Sequence, residues 1–213
     1  MLGPFLTGTE AMHVDYQPDL YLASNSPRRR ELLDQIGVRY AWISAEFDES
    51  RRTGEAPEVY VLRLALGKAR AGLRRVLDEE RALLPVMGAD TIVVCKAQVL
   101  GKPQNYAQGM EMLSMLSGRT HWVLTAVALV DDEHVATRLS VSRVRFREIA
   151  PHEREAYWES GEPLDKAGAY AIQGRGAVFV EHIDGSYSGV MGLPLFETAS
   201  LLKEFRIDYQ RSW

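Results

Sequence analysis

Three consecutive arginines follow a short apolar run and a Ser-Asn-Ser-Pro turn in the segment LYLASNSPRRRELL, residues 20–33. At about 100° per residue, Leu32, Leu33 and Ile36 define the buried stripe of a helix. Arg29 falls on that stripe near the helix N-terminus, where free N–H groups favour an anion. The segment therefore predicts either a phosphate bound near Arg29 or an ion pair between Arg29 and a carboxylate in a surface run of charge.

A second group of residues offers carboxylate oxygens. Asp90 stands alone between the apolar stretches VMGA and TIVV, and the segment EFDES adds Asp48 and Glu49. Ligands of α/β sheets gather at strand ends, so Asp90 is a candidate metal ligand or general base. The alternative is an aspartate that only stabilises a turn or caps a helix.

Two lysines and one glutamine complete the set of candidate residues. Lys68 lies in a predicted helix and Lys102 in the loop segment LGKP. Either lysine neutralises a polyphosphate or is an ordinary solvated lysine. Gln173 lies in a glycine-rich stretch, which suits tight turns and close approach of backbone to a ligand. Its amide offers a donor and an acceptor to a ligand, or serves the backbone of its own turn.

Composition excludes several classes of protein. The chain of 213 residues has a formal net charge of −4, whereas a domain that coats nucleic acid carries a broad excess of Lys and Arg. We therefore expect no stable nucleic-acid partner. The single cysteine, Cys95, lies in an apolar run, which argues against disulfide and zinc sites and fits a reducing cytoplasm. No apolar run has the length needed to span a bilayer, so no membrane association is expected.

The candidate residues fall on alternating predicted helices and strands. Proline at the first turn and apolar periodicity predict helices at residues 27–36, 57–78, 106–116, 151–160 and 194–205. Apolar runs predict strands at residues 20–23, 40–44, 84–95 and 176–183, and a hairpin of 120–130 with 135–146. The apolar face changes along the second hairpin arm, which predicts a bulge near Ser142. The pattern indicates an α/β fold with a mixed, twisted sheet flanked by helices.

The chain is predicted to form one domain. Residues 1–18 are expected to be a poorly ordered N-terminal extension. The domain then covers residues 19–208, which contain no internal repeat, low-complexity tract or linker.

Five segments together resemble the Maf family of nucleoside triphosphate pyrophosphatases, namely LASNSPRRRELL, GADTIV, GKP, LSGRTHWVLTAVAL and DKAGAYAIQGRGAVFVEHIDGSYSGVMGLPL. The resemblance covers about residues 20 to 205, nearly the whole chain. It implies a Maf/ITPase-like architecture of two lobes with a central cleft. Thr91 after Asp90 and the form DKAGAYAIQG resemble the branch of the family that acts on dTTP and UTP.

The resemblance also implies roles for individual residues. It implies catalytic roles for Asp90, Lys68 and Lys102, metal binding by Glu49 and Asp90, and substrate binding by Ser24, Arg28, Arg29, Thr91 and Gln173. Two positions depart from the family pattern. Asn25 stands where glycine or threonine is usual, and Gly67 stands where a larger residue often precedes the helix lysine. Both departures concern the fine geometry of the cleft.

The reaction implied is hydrolysis of a nucleoside triphosphate, preferably dTTP or UTP, to the monophosphate and pyrophosphate. Such an enzyme removes non-standard or excess nucleotides in the cytoplasm and uses Mg²⁺ or Mn²⁺. The resemblance is also compatible with a homodimer. The alternative is a non-catalytic nucleotide-binding regulator of cell division that inhibits septum formation. Asp90, Lys68 and Lys102 favour the enzyme, because a pure binder has no need of a water-activating carboxylate beside the phosphates.

Overall fold

A mixed sheet of seven strands runs through the computed structural model, which describes residues 17–44 and 46–213. Its strands are β1 (Leu20–Leu22), β2 (Tyr40–Trp42), β3 (Val86–Cys95), β4 (Gln98–Leu100), β5 (Thr120–Val130), β6 (Val135–Phe146) and β7 (Val180–Asp184). The order across the sheet is β2-β1-β3-β5-β6-β7, and β4 pairs with β3. β1 runs parallel to β2 and β3, and the other pairs are antiparallel. The predicted mixed α/β fold is confirmed.

Six α-helices lie in the described part of the chain. They are α1 (Pro27–Gln35), α2 (Pro57–Asp78), α3 (Tyr106–Leu116), α4 (Pro151–Glu159), α5 (Tyr187–Met191) and α6 (Leu195–Glu204). Proline stands in the first turn of α1, α2 and α4, where its missing N–H costs nothing. Asn105 caps α3 by accepting a hydrogen bond from the Gln108 N–H. None of the helices in the described ranges has the length and apolar character of a membrane span.

Helices cover both faces of the sheet. On one face, α2 buries Val61, Ala65 and Ala69 against β3 and β5. On the opposite face, α1 and α6 form one apolar cluster near the start of β3, and α3 and α4 belong to a second cluster near its end. Phe146 is fully buried in this second cluster. These two clusters lie toward opposite ends of β3.

Strand β3 is fully paired along one edge and only partly paired along the other. β5 pairs with residues 86–94. On the opposite edge, β1 pairs with residues 86–87 and β4 pairs with residues 93–95. Within the described residues, no strand pairs with residues 88–92 on that edge. This gap leaves the middle of β3, including Asp90, open to a cleft.

The bulge predicted near Ser142 is wrong. β5 and β6 stay in register along the whole hairpin, and the irregularity lies between Arg145 and Phe146, where β6 meets β7. The apolar face changes without a bulge because both faces of the sheet are covered. Leu139 packs against the α2 cluster, whereas Val144 belongs to the cluster on the other face.

The strand predicted at residues 176–183 begins later than expected. Residues Arg175–Phe179 form a 3-10 helix, and β7 follows from Val180. The short helix α5 was not predicted, because its five residues are too few for an apolar period. The extension predicted at residues 1–18 lies almost entirely outside the described residues.

Candidate active site

A cleft of about 610 Å³ opens at the gap in the edge of β3. Asp90 lies in the middle of β3 and not at its end, and the cleft forms because the neighbouring strand β1 is short. The structure brings to the wall of this cleft every residue to which the family resemblance assigns a role, namely Ser24, Arg28, Arg29, Glu49, Lys68, Asp90, Thr91, Lys102 and Gln173.

Lys68 joins the two candidate carboxylates. Its Nζ donates a hydrogen bond to Asp90 Oδ1 at 2.5 Å and lies 3.0 Å from Glu49 Oε1. The Asp90 residue is 8% exposed, so its charge is largely shielded from solvent. Within the described residues, no hydrogen bond reaches Asp90 Oδ2 or Glu49 Oε2. One oxygen of each carboxylate therefore stays available to a ligand.

Helix α2 positions Lys68 because small residues let it lie directly on the sheet. Ala65 and Ala69 are fully buried there. Gly67 allows a different close contact of α2, because a Cβ at this position would lie 2.2 Å from Cζ of Phe47. The departure at Gly67 thus makes room for an aromatic ring on the segment that carries Glu49.

The segment between β2 and α2 is tied to α2 by several contacts. Arg63 pairs with Glu55 through two hydrogen bonds of 2.6 and 2.8 Å and also donates to the Ser50 carbonyl. The Tyr60 hydroxyl donates to the Glu49 carbonyl at 2.9 Å. Hydrogen bonding from Arg63 lowers the pKa of Glu55 to about 2. The Glu49 backbone is therefore held beside Lys68 before any ligand binds.

Asp48 was expected to supply further metal-binding oxygens, but the structure does not bring it to the site. Its side chain is turned back on the chain, where it accepts a hydrogen bond from the Ser50 N–H at 2.9 Å. This is the Asx turn that aspartate commonly forms in loops. Hydrogen bonds from Ser50 lower the pKa of the Asp48 carboxyl.

Arg29 is 9% exposed, and its hydrogen bonds go only to neutral groups. Its Nε donates to the Gly192 carbonyl at 2.8 Å, and Nη1 donates to Ser24 Oγ at 3.0 Å. Burial lowers the pKa of the guanidinium, although the charge of Asp90 acts in the opposite direction. The ion pair considered for Arg29 is absent among the described residues, and its positive charge remains for a ligand.

The hydroxyl of Thr91 is committed to the protein. Thr125 Oγ1 lies 2.7 Å from the Gly189 carbonyl and 3.0 Å from Thr91 Oγ1. A carbonyl only accepts, so Thr125 donates its one hydrogen to Gly189 and accepts from Thr91. Thr91 Oγ1 in turn lies 3.4 Å from Arg29 Nη2, which donates to it. Thr91 therefore orients Arg29 and has no hydrogen left to donate to a base.

Two further cations reach the cleft. Arg28 Nη1 lies 3.2 Å from Asp165 Oδ2, in a half-exposed pair. Lys102 is exposed and makes no hydrogen bond or ion pair to a described residue. The Lys102 charge is available to an anion that enters from solvent, whereas Arg28 is shared with Asp165.

Gln173 presents its side chain to the cleft without an internal partner. The residue is exposed, and its amide makes no hydrogen bond within the described ranges. The alternative in which Gln173 serves the backbone of its own turn does not occur in this structure. Its donor and acceptor are both free for a ligand.

The cleft residues that were not singled out from the sequence include Tyr60, Asp165 and Lys166. The last two belong to the motif DKAGAYAIQG, so the signal was present. Tyr60 carries no signal beyond its place in an amphipathic helix. The departure at Asn25 also has a structural role, because its Oδ1 accepts a hydrogen bond from Trp42 Nε1 at 3.1 Å.

Comparison with known proteins identifies relatives along nearly the whole chain. Residues 19–205 match the family model described as Maf-like protein. The chain is 66% identical over 203 residues to the dTTP/UTP pyrophosphatase of Alkalilimnicola ehrlichii, which covers 95% of this chain and 100% of that protein.

Two more distant relatives carry the same name. The dTTP/UTP pyrophosphatase of Saccharophagus degradans is 53% identical over 193 residues, covering 91% of each chain. That of Aromatoleum aromaticum is 51% identical over 198 residues, covering 89% of this chain and 96% of the relative. The extent of these matches confirms the resemblance drawn from the motifs, and the chain belongs to the Maf family.

Proposed function

We propose that the protein hydrolyses dTTP and UTP to the nucleoside monophosphate and pyrophosphate. The observation that carries the proposal is the grouping in one cleft of a carboxylate pair on Lys68, three further cations and the free amide of Gln173. The names of the relatives, dTTP/UTP pyrophosphatase, support the same substrates.

The triphosphate binds on the side of the cleft that carries Arg28, Arg29 and Lys102. Arg29 lies at the start of α1, where the unpaired N–H groups of the first turn add to its charge. Ser24 Oγ and the Gly192 carbonyl hold its guanidinium in place. Such fixed positive groups stabilise the charge that develops on the leaving pyrophosphate without reorganising during the reaction.

Asp90 acts on the water that attacks the α-phosphorus. Its Oδ2 has no hydrogen bond to a described residue and is available either to accept a proton from water or to bind a cation. Lys68 fixes the carboxylate through the other oxygen. The charge of Lys68 also offsets the repulsion between two carboxylates and a polyphosphate.

The residues of the cleft fit a divalent cation. Asp90 and Glu49 each keep one oxygen free, and Mg²⁺ is commonly held by one or two carboxylates together with substrate phosphates and water. The described residues contain no group of three or more His, Cys, Asp or Glu side chains that could hold a metal ion by themselves. Asp90 and Glu49 would therefore hold Mg²⁺ or Mn²⁺ together with the substrate. When bound, the ion neutralises phosphate charge and makes water more acidic.

Gln173 recognises the base. Uracil and thymine present an N3–H donor flanked by carbonyl acceptors, and one amide side chain pairs with a donor and an acceptor on that edge. Cytosine presents a different pattern. A wrong base leaves the polar groups of the site unpaired, at a cost of about 1–3 kcal/mol for each buried group. Thr91 contributes by holding Arg29 and limiting the space beside Asp90.

The proposal is tested by comparing kcat/KM for UTP, dTTP, CTP and GTP with Mg²⁺, detecting pyrophosphate and orthophosphate separately. We expect UTP and dTTP to exceed CTP and GTP by about 10- to 100-fold, in line with one or two unpaired groups. In Gln173→Ala this preference shrinks, and in the matched control Gln210→Ala, exposed and outside the cleft, it does not.

A wild type that favours GTP, or that releases only orthophosphate, contradicts the proposal. Tight binding of nucleotides with no turnover supports the alternative of a binding regulator instead.

A further inference from the structure

The position of Gln173 depends on the backbone turn that carries it. Its side chain makes no hydrogen bond to a described residue, so the turn is what places the side chain at the cleft. We define residues 171–176 as the Gln173 turn, which leads into the 3-10 helix Arg175–Phe179. Whatever fixes this turn therefore sets the point from which the Gln173 side chain reaches the base.

A carboxylate outside the cleft holds the end of the Gln173 turn. Glu162 Oε2 accepts a hydrogen bond from the Arg175 N–H at 2.9 Å, and Oε1 accepts one from the Gly176 N–H at 3.1 Å. Burial would raise the pKa of Glu162, but these hydrogen bonds and one from Tyr157 outweigh it and lower the pKa. The group is therefore an ionised acceptor at neutral pH.

A tyrosine holds the beginning of the same turn. The Tyr157 hydroxyl accepts a hydrogen bond from the Ala171 N–H at 3.0 Å and donates to Glu162 Oε1 at 2.7 Å. Tyr157 is 5% exposed, and its ring packs edge-on against Phe179 at 5.1 Å between centroids. The two side chains thus connect the residues before Gln173 with those after it.

The Glu162 carboxylate lies directly against the backbone of residue 174. A Cβ at position 174 would lie 2.3 Å from Glu162 Oε2, so only glycine allows the carboxylate to sit against the backbone here. Gln173 is the residue next to this close approach. A shift of the carboxylate therefore acts on the backbone next to the residue that carries the amide.

We propose that Glu162 and Tyr157 are positioning residues for base selection, which act through the Gln173 turn and touch no substrate. Neither residue lines the cleft. The inference rests on the proposed function, because it concerns how the dTTP and UTP preference arises. A positioning role differs from a purely structural role in one respect. Loss of either group changes the ratio of activities toward UTP and CTP, in addition to any change in stability.

The test measures kcat/KM for UTP and CTP in Glu162→Gln and Tyr157→Phe, together with Tm. The Glu162 carboxylate accepts two backbone hydrogen bonds, from Arg175 and Gly176. In Glu162→Gln the side-chain NH₂ faces one of these N–H groups, and two donors repel, so the turn must move. We expect the UTP to CTP ratio to fall about 5-fold or more toward that of Gln173→Ala. Tyr157→Phe keeps the ring packing and removes only the hydroxyl. We expect it to lower the UTP to CTP ratio as well, with a smaller fall in Tm.

A matched control is Glu153→Gln on α4. This carboxylate also accepts from a backbone N–H, that of Ala150, and pairs with Arg147, but it does not contact the Gln173 turn. We expect its Tm to fall and its UTP to CTP ratio to stay unchanged. In a Gln173→Ala background, Glu162→Gln should change the ratio no further, because the two act on one element.

The outcomes separate the inference from the function on which it rests. A wild type without turnover, or without preference for UTP over CTP, overturns the proposed function itself. A wild type with that preference, retained within about twofold in both Glu162→Gln and Tyr157→Phe, overturns the positioning role alone. A ratio that still falls when Glu162→Gln is added to Gln173→Ala also overturns it, because Glu162 would then act by another route.

Discussion

Asp90 is the residue on which the proposed chemistry depends most. Asparagine keeps the volume and the acceptor for Lys68 but removes the charge and the proton-accepting oxygen. We expect Asp90→Asn to lower kcat by about 100- to 10,000-fold, the usual contribution of a general base, with UTP binding largely retained. Initial rates and calorimetric titration with UTP measure the two effects. Asp184→Asn, an exposed carboxylate on β7 paired with Arg143, is the control and should stay active.

A rate for Asp90→Asn close to that of the wild type would remove Asp90 from the mechanism. If the affinity for UTP fell by the same factor as kcat, Asp90 would instead contribute to substrate binding as much as to stabilisation of the transition state.

Lys102 tests the phosphate side of the cleft. Because its ammonium is free and exposed, we expect it to contact phosphates in both the ground and the transition state. Lys102→Ala should then raise KM and lower kcat together, each by about 10-fold, as for loss of one charge-assisted hydrogen bond. Lys203→Ala on α6 is the control, because Lys203 is exposed and does not line the cleft. Unchanged KM and kcat in Lys102→Ala would exclude this lysine from substrate binding.

At the scale of elements, the segment that carries Glu49 depends on the pair of Glu55 and Arg63. The pKa of Glu55 falls from 4.5 to about 2 on folding, because Arg63 donates hydrogen bonds to the carboxylate. A lowered pKa means that the pair stabilises the protein fully above the ordinary pKa, and that this stabilisation is lost as pH falls toward 2. Glu55→Gln should therefore reduce the free energy of unfolding at neutral pH.

The measurement is urea unfolding of wild type and Glu55→Gln across the acid range. We expect the difference between them to be constant near neutrality and to shrink steadily below the ordinary pKa of a glutamate. A difference that does not depend on pH would mean that the pair contributes nothing through its charge.

Elements with strong local signals were predictable from the sequence. The bounds of α2 and α3 agree with the prediction, since Pro57 and the cap at Asn105 mark their starts. The hairpin of β5 and β6 also agrees. The prediction of a bulge near Ser142 was wrong, because the periodicity of one strand does not show that helices cover both faces of the sheet. The predicted start of β7 was wrong because residues 176–179 are apolar enough for a strand, whereas the N–H groups of Arg175 and Gly176 bind Glu162 and a 3-10 helix follows.

At the scale of the whole molecule, the members of the candidate site were predictable and their contacts were not. The motifs identified the residues that line the cleft. The sequence did not show that Lys68 joins Asp90 to Glu49, or that Thr91 donates to Thr125, 34 positions away. Such contacts depend on which strand edge stays unpaired. The edge of β3 stays unpaired at residues 88–92 because β1 is much shorter than β3.

We propose that this cleft directs water to the α-phosphorus of UTP. Hydrolysis of UTP in ¹⁸O-enriched water, followed by mass spectrometry of both products, shows which phosphorus the water attacks. We expect the label to enter UMP, pyrophosphate to stay unlabelled, and Asp90→Asn to form little of either product. Label in pyrophosphate would place the attack at the β-phosphorus, and release of orthophosphate would place it at the γ-phosphorus. Either result would contradict attack at the α-phosphorus.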